Sequence, residues 1–193
     1  MSKSIKSKYV MKKFLNLLGK SPAYHIIRYN KEIQNKSEIN KDSYNTVFNK
    51  IVVEIVPCYS EDKNNIFIDY NINAHIEITY IDSNNVKHDL KRNFIMKDDH
   101  IKIIKIKINT NYISINKIFR KCEGIKEITF KKFYRNDITD LSSMFQGNSC
   151  LKKINFSKFK TDRCNNMSYM FSDCVNLKYL DLRIFNTINV NIE

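Results

Sequence analysis

From Ile115 onward the chain can be laid over itself with a shift of 26 residues, and apolar side chains then fall on apolar side chains at nearly every core position. The first turn reads Ile115, Ile118, Phe119, Cys122, Ile125, Ile128, Phe130, Phe133. The second reads Leu141, Met144, Phe145, Asn148, Leu151, Ile154, Phe156, Phe159, and the third Met167, Met170, Phe171, Cys174, Leu177, Leu180, Leu182, Phe185. One such turn cannot bury its apolar face alone, so a fixed period of this length commits the segment to stacking turn on turn.

The columns predict what each part of a turn does. Met167, Met170, Phe171 and Cys174 stand at i, i+3, i+4 and i+7, the spacing of one face of a short helix. Thr139-Asp140 and Asn165-Asn166 precede two of these segments and read as N-caps. Leu177 leads into Leu180-Asp181-Leu182, where alternation points Leu180 and Leu182 inward and Tyr179 and Asp181 outward on a strand. The outward strand positions of the three turns, Glu127, Thr129 and Lys131, then Lys153, Asn155 and Ser157, then Tyr179, Asp181 and Arg183, form the expected partner-binding concave face. Their mixed charge signs favour a protein epitope over a uniform nucleic-acid track.

The strings Met167-Ser168-Tyr169-Met170-Phe171-Ser172-Asp173-Cys174, Leu177-Lys178-Tyr179-Leu180-Asp181-Leu182 and Phe185-Asn186-Thr187-Ile188-Asn189-Val190 resemble the BspA-like leucine-rich repeats of bacterial and protist surface proteins. The likeness covers about residues 115–193. It implies a solenoid used for adhesion or protein binding, without a catalytic site or cofactor, and a cell-surface location.

Ahead of the repeat the pattern differs. Residues 51–56, 66–70, 74–81, 86–90 and 101–108 read as strands, with Asp82-Ser83-Asn84-Asn85 as turn chemistry between two of them. Residues 10–34 show roughly helical spacing with a break at Ser21-Pro22, and the polar stretch 35–46 reads as a linker. The expected fold class is therefore α+β: a short leucine-rich-repeat solenoid of three turns, strand plus short helix each, preceded by a small antiparallel β-module and an N-terminal helical segment. The domains are 1–46, 47–110 and 111–193.

Charge is uneven along the chain. Residues 1–56 carry 11 basic and 4 acidic side chains, residues 57–110 carry 8 of each, and residues 111–193 carry 14 and 8, within a formal net charge of +13. Such a field attracts anionic partners without specifying one. Lys126, Lys152 and Lys178 share a column and are expected to stack about 5 Å apart. The repulsion is roughly 0.8 kcal/mol per neighbour pair in bulk water, which an anion would relieve. These lysines are the candidate anion-binding site, and a basic nucleic-acid- or membrane-surface-binding protein is the alternative function.

Several chemistries lack their residues. The five cysteines include no C-x-x-C pair, and His25, His75, His88 and His100 have no ligand spacing, so neither a zinc site nor a disulfide framework is indicated. Cys122 and Cys174 share a core column, and Cys150 has no neighbouring base in sequence. Asp98-Asp99-His100 reads as a polar turn. Three glycines leave little material for a phosphate loop, and no nucleophile elbow is present. The expectation is no enzyme and no cofactor.

Lysines at 3, 6, 8, 12 and 13 precede only a short apolar run, Phe14 to Gly19, and no stretch approaches bilayer length, which predicts a cytoplasmic protein, with a leader beginning at Met11 left open. Ile188 and Val190 begin a fourth turn without its remainder, so the expectation is that the open end either self-associates or marks a fragment of a longer array.

Overall fold

The computed structural model describes residues 31, 50–61, 65–69, 75–109, 113–133, 135, 137–156 and 159–190. The chain divides into two compact units, Met1–Lys50 and Ile51–Glu193. The expected N-terminal helical segment and linker lie outside the described residues apart from Lys31, and the account below concerns the second unit.

Its six strands are β1 (Lys50–Pro57), β2 (His75–Asp82), β3 (Lys87–Asp89), β4 (Ile101–Asn109), β5 (Ile125–Phe133) and β6 (Lys153–Asn155). They form one mixed sheet in the order β3-β2-β4-β1-β5-β6. β2 pairs antiparallel with β3 and β4, β1 pairs antiparallel with β5, and β5 pairs parallel with β6. The β2–β3 connection uses Asp82, whose carboxylate accepts the backbone N–H of Asn84 and of Val86, while Asn85 takes φ 64°. Asn tolerates that left-handed conformation better than most residues. Residues 66–69 do not form a strand; Ile66 makes a single bridge to Phe94.

The expected fold class needs correcting. Between residues 50 and 190 the described residues contain no α-helix, only a 3-10 turn at Lys97–Asp99. The β-module is not a separate layer preceding the repeat either, since β1 and the first-turn strand β5 are neighbours in the same sheet. The cause is in the backbone. Lys117 and Lys121, Ser143 and Gly147, and Tyr169 and Asp173 all have φ between 54° and 77°. A left-handed residue at every fourth place cannot be accommodated in a right-handed helix.

The backbone N–H groups of these segments turn sideways instead. Those of Ile115, Lys117, Phe119 and Lys121 donate to the carbonyls of Asp140, Ser142, Met144 and Gln146, and those of Leu141, Ser143, Phe145 and Gly147 donate to Asn166, Ser168, Met170 and Ser172. The expected N-caps serve the same stack. Asp140 and Asn166 accept the N–H two residues ahead, from Ser142 and Ser168, and Asp140 bridges in parallel with Ser114 on one side and Asn166 on the other. These are Asx turns that start a run of turns, not helix caps.

The i, i+3, i+4, i+7 side chains still reach a common interior. Phe119, Phe145 and Phe171 stack with ring centroids 5.7 and 5.8 Å apart, and Phe133, Phe159 and Phe185 do so at 3.9 and 5.8 Å. This column joins Ile51, Val53, Ile55, Ile104, Ile106 and Ile108 from the sheet's inner face in one continuous core. Residues 65–69 run beside the first turn: the Gly124 N–H donates to Ile66 and the Asp69 N–H to Ile118, with Phe67 and Ile68 fully buried.

Candidate partner-binding face

Strand alternation that sends Ile128, Phe130 and Ile154 into the core sends their neighbours to the other side of the sheet. The β5–β6 register sets Glu127 beside Lys153 and Thr129 beside Asn155, and a parallel bridge carries the first row on to Tyr179. On the β1 side Glu127 faces Val56 and Thr129 faces Glu54. Six of the nine expected face residues, Glu127, Thr129, Lys131, Lys153, Asn155 and Tyr179, therefore lie on one surface. Ser157 lies outside the described residues.

Asp181 and Arg183 follow Tyr179 but engage each other, the guanidinium donating to both carboxylate oxygens at 2.9 and 2.6 Å. That hydrogen bonding, side chain first and backbone second, pulls the Asp181 carboxyl down to about 2. A carboxylate already matched by its own Arg offers less to a partner than an unmatched one.

The face extends well past the repeat. Glu54 on β1 holds Lys131 at 3.0 Å on one side and Lys105 of β4 at 3.4 Å on the other. Lys107 reaches Glu77 of β2 at 2.8 Å. Alternation alone makes these side chains outward, but only the strand order β2-β4-β1-β5 joins them to Lys131, and that order is a long-range property of the chain. The result is a surface on which several lysines already have a carboxylate.

Lys126, Lys152 and Lys178 are all exposed. The first two are in register, the Lys152 N–H donating to the Lys126 carbonyl at 2.8 Å. Close by are two thiols far apart in sequence: Cys58, just past β1, neighbours Cys150, and burial together with that neighbour pushes Cys58 up to about 11 against the opposing pull of Lys152 and Lys126. The other cysteines are buried, and their thiols donate to the carbonyls of Arg120, Asn166 and Phe145. Among the described residues no three His, Cys, Asp or Glu side chains gather as a metal site, and no helix is long and apolar enough to cross a membrane.

No curated protein and no solved structure matches the chain. Over residues 113–192, the three turns, it is similar to a family described as a Mycoplasma protein of unknown function, DUF285.

Proposed function

We propose that the protein is a non-enzymatic interaction module that binds another protein through the open face of its sheet, in the manner of an adhesion domain. The observation that carries this reading is the row Val56, Glu127, Lys153, Tyr179, which ends in a tyrosine 69% exposed on a surface of both charge signs. Exposed aromatic side chains ringed by polar groups are the usual anchors of protein interfaces. The resemblance of the third turn to BspA-like proteins supports the same class. Lysines already paired with Glu54 and Glu77 offer little to a polyanion, which weighs against the nucleic-acid or membrane alternative.

The test is capture by the full chain from nuclease-treated lysate of the source cell, with low- and high-salt washes. A discrete protein that survives high salt and is lost with Tyr179→Ala plus Lys153→Ala is the expected outcome, each substitution weakening retention by about 1–2 kcal/mol. Retention equal to the unmodified chain removes the face assignment. Retention of nucleic acid or lipid alone, released by salt, favours the basic surface instead.

A second reading concerns self-association. Every core column is buried in the first two turns, yet Leu182 is 40% exposed where Phe130 and Phe156 are 1% and 3%. Met167, Phe171, Leu177, Leu180 and Phe185 are only partly buried. The outer side of the third turn is thus an apolar surface suited to a second copy.

A further inference from the structure

Cys58 and Cys150 are brought together by the fold and by nothing in their sequence spacing. The Cys58 N–H donates to the carbonyl of Gly124 at 2.9 Å. Gly124 occupies the repeat position that Cys150 occupies one turn later, and the in-register bond from Lys152 to Lys126 fixes the second turn directly beside the first at this place. The two cysteines therefore flank one glycine. A Cβ there would stand 2.4 Å from the Asn65 carbonyl oxygen, so a larger residue overpacks the position. Both thiols are half-buried, while the other three are buried and spent on backbone carbonyls. Lys126 and Lys152 supply the local positive charge.

We propose that Cys58 and Cys150 form a thiol-exchange site that is oxidised by an anionic low-molecular-weight disulfide, of the glutathione type, to an internal disulfide joining the end of β1 to the second turn. In the first step one thiolate attacks a sulfur of the small disulfide, forming a mixed disulfide and releasing one small thiol. In the second, the other protein thiol attacks the sulfur of the first and releases the second small thiol. Two electrons pass from the protein to the small disulfide, and the two protein thiol protons end on the two released thiols.

Burial together with Cys150 pushes the Cys58 thiol up, against the pull of Lys152 and Lys126; either thiol can open the small disulfide, the other resolving the mixed disulfide by attack on the protein sulfur beside it. Lys126 and Lys152 meet the carboxylates of the incoming disulfide and favour the thiolate state. The lysine column is thereby given a small anionic reactant in place of a polymer.

The reduced full chain is incubated with glutathione disulfide, quenched with an alkylating agent and mapped without reduction. The expected product has lost two hydrogens and yields a Cys58–Cys150 linked peptide, with a melting temperature above that of the reduced chain. Cys58→Ser and Cys150→Ser should each halt at a mixed disulfide on the cysteine that remains. Lys126→Gln with Lys152→Gln should slow the reaction with glutathione disulfide roughly three- to tenfold and not slow that with cationic cystamine. The proposal is overturned by a different cysteine pairing, by mixed disulfides on both residues that never resolve, or by equal reactivity of all five cysteines in the folded chain.

Discussion

At the scale of single residues the least expected side chain is Asn148. It occupies the column of Cys122 and Cys174, where a small apolar group would be ordinary, and it is fully buried. Its amide oxygen accepts the backbone N–H of Cys122 at 2.6 Å, while its nitrogen finds no partner among the described residues. A buried backbone donor left without an acceptor costs more than an average hydrogen bond contributes. Asn148→Ala should therefore lower stability by about 1–3 kcal/mol, read as a lower urea midpoint at unchanged slope. Asn148→Asp should be worse, since it places a charge in a site without a counter-ion. A substitution to Ala that leaves the midpoint unchanged would mean that water satisfies Cys122 and that the asparagine has no structural task. The sequence pattern exposes Asn148 as the one polar residue in its column, but not the bond that explains it, because its partner belongs to the neighbouring turn.

At the scale of elements, the period and the inward columns are legible in the sequence and the secondary structure between them is not. Apolar residues at i, i+3, i+4 and i+7 fit a helix, and they fit equally a run of turns whose left-handed residues recur four apart. Non-glycine residues at the left-handed places, Lys117, Lys121, Ser143, Tyr169 and Asp173, conceal the difference, and only Gly147 announces it. What decides between the two is the lateral ladder of N–H groups to the next turn, which exists only once the turns are stacked. The strands ahead of the repeat are easier to read because alternation is local, whereas the pairing of β1 with β5 is not written in either segment. The contact that secures the start of β5 depends on Gly124, which is pressed against the backbone of Asn65 and Ile66. Gly124→Ala should destabilise by about 1–3 kcal/mol through overpacking against atoms that cannot rotate away. Gly147→Ala should cost about 1 kcal/mol through its φ of 77°, its Cβ pressing closely only on the flexible Lys121 side chain and meeting the Lys121 backbone at ordinary contact distance. Equal losses in thermal denaturation would show that the Asn65 backbone yields easily and that residues 65–69 are not a firm cover for the first turn.

At the scale of the whole molecule, charge and exposure point to the same place. Residues 113–163 carry 12 basic and 5 acidic side chains, whereas residues 164–190 carry 2 of each. The third turn is the neutral part of a basic repeat, and it is also where the core columns lose their cover, at Leu182 above all. Two copies approaching through their lysine-rich flanks repel each other, while two approaching through their third turns do not. The first turn is already flanked by residues 65–69, so a head-to-tail stack of copies has no free first turn to meet and a two-fold contact between third turns is the geometry left. Sedimentation at rising concentration should then show a monomer–dimer equilibrium that persists in moderate salt, because its drive is apolar. Leu182→Asp should return the chain to a monomer, and it should do so with little change in melting temperature, since the side chain is already substantially exposed in the single copy. A chain that sediments as a monomer throughout, or a dimer indifferent to Leu182→Asp, would leave the uncovered third turn to some other occupant and would confine the molecule's binding chemistry to the open face of the sheet.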